Sequence, residues 1–164
     1  MTEYKIYMNR FFTRTKCVAD AQGNLLYKIK RKSTFSRKHM ENHPAGEIIW
    51  QQKSGWDFFN EVDQFMVSVE RKSRLGGDDF KFEYGGVLYK WSPKNRFSKS
   101  KYLCVNCNND QQVAVFQYKY MSRTFGFLTI HTMSQWPARL TELLIFTVMR
   151  IVEVQRDEDA AEAA

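Results

Sequence analysis

The sequence predicts a mainly β protein in which about ten short strands precede one hydrophobic helix, and two observations carry that prediction. Apolar and polar residues alternate with period two in short stretches, most clearly where Phe80, Phe82 and Tyr84 share one strand face and Lys81 and Glu83 the other. The segment Leu140 to Val154 differs: only Thr141, Glu142, Thr147, Arg150 and Glu153 interrupt its apolar residues, so no wet face can be drawn on it. A helix apolar all round must be enclosed. A membrane span needs roughly 20 predominantly apolar residues, and the uninterrupted run here, Leu143 to Met149, is far shorter. Protein must therefore surround it, with Leu144, Val148 and Ile151 deeply buried. A β-barrel wrapped around the helix is the simplest enclosure.

The elements follow in order. Glu3 to Met8, Thr13 to Ala19, Leu25 to Lys32 and Gly46 to Gln52 read as strands, with Asp20 to Asn24 as the turn after the second. Ser33 to Ala45 is polar and reads as an exposed loop. Phe65, Val67 and Val69 alternate with Met66, Ser68 and Glu70, and the turn residues Gly76, Gly77, Asp78 and Asp79 close that strand. Phe80 to Tyr84, the two-residue turn Gly85-Gly86 and Val87 to Trp91 form the strongest hairpin signal, so three strands read as a meander. A second loop, Ser92 to Ser100, is basic. Tyr102 to Asn106 and Gln112 to Tyr120 flank Asn108-Asn109-Asp110, whose side chains suit positive φ. Phe125 to His131 is the last strand. Pro137 fits the approach to the helix, since a first turn tolerates its missing donor. The β-branched residues of Leu140 to Val154 also suit a strand, but strands seldom reach that length.

At 164 residues the chain suits a single domain, residues 1–156, followed by an acidic, Ala-rich tail, 157–164, expected to be mobile. A hydrophobic content of 43% with 15% aromatics excludes a disordered chain. The amino end, Met1 to Phe12, has no continuous apolar core of a signal peptide, and three cysteines, Cys17, Cys104 and Cys107, form no disulfide framework. The expected setting is the cytoplasm, with the periphery of a membrane or the nucleus as the alternatives, and no transmembrane segment is expected. Basic residues crowd Lys28 to Lys38 and Arg71 to Lys101, within a formal charge of +7. That layout favours an anionic partner, a lipid head group or RNA phosphate, although an ordinary solvated surface would look the same.

Tyr89-Lys90-Trp91 after a Gly turn, then a Leu-Cys-Val strand, an Asn-rich turn, Val113-Ala114-Val115-Phe116 and the closing Leu140-Thr141-Glu142-Leu143-Leu144 resemble the tubby C-terminal-like superfamily. The likeness is to its small single-domain members, the fungal tubby-like, LURP-one-related and scramblase-like proteins, and covers Leu25 to Val154. The resemblance implies a closed antiparallel β-barrel of about ten to twelve strands around the hydrophobic C-terminal helix. It also implies a binding or adaptor role, since some tubby-like domains bind phosphoinositides through basic residues on the barrel. The chain departs from the family in having neither the diagnostic phosphate-binding motif of the tubby proteins nor the scramblase-like cysteine cluster.

The candidate anion-binding residues are Lys28, Lys30 and Lys32, which a strand would project to one face at about 6.6 Å intervals, with Arg37 and Lys38 on the adjoining loop. Tyr27 and Ile29 would face the other way. Trp56, Phe58 and Phe59 lie outside any clear strand and read as a surface aromatic patch for a protein partner. Cys104 and Cys107 have metal-ligand spacing but no second pair, so no metal and no cofactor is expected. His39, His43 and His131 form no local catalytic pair, and neither glycine pair belongs to a nucleotide loop. The expected function is a non-catalytic module, not an enzyme, that docks an anionic surface. The alternative is a small basic accessory subunit of a protein or ribonucleoprotein assembly.

Overall fold

The computed structural model describes residues 1–8, 15–31, 37–75, 77–95, 98–119, 123–133 and 135–163. It is mainly β: a nearly closed antiparallel barrel of thirteen strands and one C-terminal helix. The strands are β1 (Thr2–Met8), β2 (Lys16–Ala19), β3 (Leu25–Arg31), β4 (Lys38–Asn42), β5 (Ile48–Ser54), β6 (Asp57–Asn60), β7 (Phe65–Ser68), β8 (Glu70–Lys72), β9 (Asp79–Tyr84), β10 (Val87–Asn95), β11 (Ser98–Asn106), β12 (Gln111–Tyr118) and β13 (Thr124–Ile130). The helix α1 runs Leu140–Ala163.

The sheet order is β7-β6-β5-β4-β3-β2-β1-β13-β12-β11-β10-β9-β8. Two runs of neighbouring antiparallel strands are joined where β1 pairs with β13, with Thr2 opposite Ile130. The two ends of this sheet, β7 and β8, are successive pieces of one chain segment that breaks at Val69. Buried Val69 donates its amide to the Trp56 carbonyl at 2.8 Å, tying the break to β6. Beyond it, Glu70 and Lys72 pair with Lys81 and Asp79 of β9. The barrel is therefore sealed along β8 and left open between β7 and the far half of β9. This corrects the meander expected from the sequence, because β7 pairs with β6 and it is β8, not β7, that forms the ladder with β9.

Three strands lie where the sequence pattern gave none. β4 falls in the expected polar loop, β6 in the expected aromatic patch, and β8 is a short charged stretch. Two expected features hold closely. Gly85 and Gly86 have φ of 58° and 76°, the positive values that a two-residue type I′ hairpin requires, and Asp110 of the Asn-rich turn also has a positive φ of 57°.

Buried side chains from all the wall strands except the short charged β8 join those of α1 in one core. Leu144, Val148 and Ile151 are completely buried, as are Leu140, Leu143 and Ile145. Among the described residues no helix is long and apolar enough to cross a membrane. The helix continues past the expected boundary at Val154 through the acidic, Ala-rich residues, and Arg71 of β8 holds Glu158 at 2.8 Å. That ion pair offsets an unfavourable arrangement, acidic side chains at the negative end of a helix dipole.

The polar groups of the enclosed helix are met by the wall. Trp50 Nε1 donates to Glu142 at 3.1 Å, Trp91 Nε1 to Thr147 Oγ1 at 3.1 Å, and Trp136 Nε1 to Thr141 Oγ1 at 2.9 Å. Thr147 passes its own hydroxyl proton to the Leu143 carbonyl, 2.8 Å away, leaving a lone pair for the indole. Replacing Thr147 by Val keeps the shape and strands the Trp91 N–H. Chemical denaturation should show a loss of about 1–3 kcal/mol, and much less when Trp91→Phe is added.

Candidate functional site

The predicted lysine set is divided by the pleat. Cross-strand pairing puts Arg31 opposite Lys38 and Ile29 opposite Met40, so Lys38 shares the inner face with buried Ile29 and Met40. Lys28 and Lys30 point outward. Glu41 stands directly across from Lys28 and binds Lys30 at 2.8 Å. Burial works against its ionisation, yet hydrogen bonds from Lys30 and His39 hold the Glu41 carboxyl below the usual glutamate range. Arg37 is exposed, and Lys32 lies outside the described residues.

Lys38 instead belongs to a cluster that the sequence did not reveal, at the pole where α1 leaves the barrel. Lys16 of β2 and Lys38 of β4 both reach Glu153 of the helix, Lys16 at 3.6 Å and Lys38 in close contact. Their side chains are only 9% exposed and that of Glu153 16%, so two ammonium groups share one carboxylate out of water. Burial pulls the Lys38 ammonium below the ordinary lysine range, and Glu153 opposes that shift without cancelling it.

Around this trio is a pocket of about 390 Å³ lined by Lys16, Arg31, Lys38, Glu153, Arg156, Asp157 and Ala160. Four bases face two acids, leaving two positive charges in excess. Arg156 lies over the Tyr118 and Phe125 rings at 5.5 and 5.9 Å at the rim, and the buried Lys16 lies over Phe125 at 5.2 Å, so the rings help to position both cationic heads. Nearly two turns before Arg156 on the helix, Arg150 covers Trp56 at 5.4 Å, and its buried Nε has no hydrogen-bond partner among the described residues. A partly buried site with surplus positive charge favours an anion, because an unpaired buried charge is costly and a phosphate accepts several N–H donors at once.

The aromatic patch expected at Trp56, Phe58 and Phe59 is corrected by the structure. Phe58 is fully buried on β6 and meets Phe146 of the helix with ring centroids 5.0 Å apart. Trp56 is partly buried between Phe80, 5.1 Å away, and Arg150. Only Phe59 lies on the outer face, beneath Lys53 at 5.4 Å. The reason is the period-two strand: the pleat sends Phe58 inward and Phe59 outward.

Cys104 is fully buried on β11, whereas Cys107 lies partly exposed in the following turn. Burial pushes the Cys104 thiol well above its ordinary range. Among the described residues no group of three or more His, Cys, Asp or Glu side chains could hold a metal ion.

No protein-family model matches the chain, and no curated protein matches it in sequence. It is similar in fold to the X-ray structure of an Arabidopsis thaliana protein, with a TM-score of 0.64 over 94% of this chain and 91% of that one. At 12% identity the likeness shows the fold alone.

Alkylation of the native protein at pH 8 should modify Cys107 first and leave Cys104 unreacted until the barrel unfolds. Fragment-ion mass spectrometry of the tryptic peptide Tyr102 to Lys119, which carries both thiols, after timed iodoacetamide treatment checks this, and equal rates at both positions would contradict it.

Proposed function

We propose that this protein is a non-catalytic, tubby-like binding module that docks a phosphate-bearing anion, a phosphoinositide head group in first place, at the basic pole of its barrel. The observation that carries this reading is the pair of buried lysines, Lys16 and Lys38, sharing the single carboxylate of Glu153 in a pocket with two surplus positive charges. Exposed Arg31 and Arg156 at the rim are placed to meet the anion first, and the buried lysines to hold it. Arg37 adds charge beside the same pole, next to Lys38 in the chain. Lys28 and Lys30 play a lesser part in this reading, because Glu41 already engages that face.

A second reading, a basic subunit contacting RNA, draws on a different row of the outer wall. Lys101, Gln117, Phe127 and Lys5 are successive cross-strand partners on β11, β12, β13 and β1. Lys119 lies over the Phe127 ring at 6.0 Å and Lys5 over Tyr7 at 5.7 Å, so cations alternate with partly exposed rings on which bases could stack.

Sedimentation with vesicles containing or lacking phosphoinositides separates these readings when run beside RNA binding across a salt series. Arg31→Glu with Arg156→Glu alters two exposed side chains and reverses the sign of the pocket. It should weaken phosphoinositide-vesicle binding at least tenfold, about 1.4 kcal/mol or more, while leaving the melting temperature within a few degrees. Unchanged vesicle binding by this variant contradicts the proposal, as does steep, salt-sensitive RNA binding that Lys5→Glu with Lys101→Glu removes.

A further inference from the structure

A second site, separate from the basic pole, lies along the open seam of the barrel. Antiparallel ladders send the N–H and C=O of alternate residues to opposite sides of a strand, and two hydrogen bonds fix which residues do so here. Val69 donates to Trp56, so Val67 and Phe65 face β6, and Met66 and Ser68 turn their backbone groups to the seam. Cys107 donates to the Leu88 carbonyl at 2.8 Å, so even-numbered residues of β10 face β11 and odd-numbered ones face β9. Tyr84 and Phe82 therefore bond to β10, and Glu83 turns its backbone groups to the seam.

The ladder that joins Lys72 to Asp79 and Glu70 to Lys81 would continue with Ser68 opposite Glu83 and Met66 opposite Gly85. It stops instead. Among the described residues no backbone hydrogen bond joins β7 to β9. The strands part around a slot of about 800 Å³ lined by Phe65 to Ser68, Glu83 to Gly85, and Pro137 and Ala138 of the helix lead-in.

Its floor is apolar and built. The Phe65 ring lies 5.7 Å from Tyr84 and 5.5 Å from Trp50, and the Tyr84 hydroxyl donates to the Ala138 carbonyl, anchoring the helix lead-in beside the slot. Met66 is 50% exposed at the lip. Glu83 is the one charged residue among those lining it, and no base lies there.

We propose that this seam takes up an extended segment of another polypeptide, which adds to β7 as a strand. Unpaired donors and acceptors at ladder spacing match an extended backbone. β7 offers about four residues, roughly 13 Å of strand. The guest presents one apolar side chain to the Phe65–Tyr84 floor, turns its neighbours outward, and carries a Lys or Arg beside Glu83. Adding a strand also protects a barrel edge that otherwise invites self-association.

Amide hydrogen exchange on the full chain tests the first half. Met66, Ser68 and Glu83 should exchange at least tenfold faster than Glu70 and Lys81; equal protection would mean that the seam is closed on itself and overturn the proposal. An array of heptapeptides with alternating apolar residues and terminal lysines tests the second half. Binders should slow exchange at Met66 and Ser68, and a central proline in the peptide should abolish binding. Met66→Pro removes one seam-facing N–H and no bond to β6, so it should lose peptide binding at least tenfold with phosphoinositide binding unchanged. An array without binders, or binders indifferent to Met66→Pro, would overturn the proposal. The Arg31→Glu/Arg156→Glu variant should bind the same peptides as the unaltered protein, so the two sites fail or stand independently.

Discussion

The structure depends on one constraint: a helix placed inside a barrel needs its buried polar groups answered. Here the wall and the helix lead-in answer Glu142, Thr147 and Thr141, while the Arg150 Nε is left without a hydrogen bond among the described residues. Glu142 and Thr147 accept indole N–H bonds from Trp50 and Trp91, two of the largest fully buried side chains. Trp136 reaches back to Thr141, and Trp56 lies under Arg150. All four tryptophans thus serve polar residues of one helix. Trp50, Trp91 and Trp136 each offer a large apolar body and a single N–H donor to the helix, a combination that Phe or Leu cannot provide, while Trp56 offers its ring face to Arg150. An unanswered hydroxyl or carboxylate at these depths would cost a substantial fraction of the net stability of a domain this size.

The two poles differ because the helix differs along its length. At its start, Arg139 bonds Glu142 at 2.9 Å and approaches Asp63, and the Tyr84 hydroxyl caps the lead-in, so acids outnumber bases there and the neighbouring seam is mostly apolar with Glu83 at its edge. Toward the other end the helix supplies Glu153 and Asp157, while the wall and helix together bring Lys16, Arg31, Lys38 and Arg156. Bases outnumber acids there. The barrel therefore carries a polar, cationic pocket at one pole and an open, largely apolar seam near the other.

Much of this was legible from residue order. The buried helix followed from the absence of a wet face, and the Gly85-Gly86 hairpin from two residues that tolerate positive φ. What failed had a common cause: local alternation assumes that inward residues are apolar. β4 reads as a polar loop because its inward Lys38 is satisfied by Glu153, which is 115 positions away in sequence. Lys16 is hidden in the same way. β6 read as a surface patch because Trp56-Asp57-Phe58-Phe59 shows no alternation, and nothing local shows that Phe58 has Phe146 to pack against. β8 has three charged residues and owes its strand conformation to β9. The basic pocket combines residues from β2, β3, β4 and the helix, and only the closed barrel brings them together.

Lys38 is held in the barrel with too little negative charge around it. Desolvation lowers its affinity for a proton in the folded state, whereas the unfolded chain restores the ordinary value of 10.5. The unfolded chain therefore binds the proton more tightly, and the penalty of burying this charge is full below the folded-state midpoint and fades as pH rises through that midpoint toward 10.5. A bound phosphate would remove that penalty. The most direct test is the titration of the Lys38 Nζ, followed by heteronuclear NMR in the folded protein with and without a soluble inositol phosphate. The account predicts a midpoint below 10.5 for the free protein and a rise when the inositol phosphate is added. A free-state midpoint at the ordinary value, or one that the inositol phosphate leaves unmoved, would contradict it.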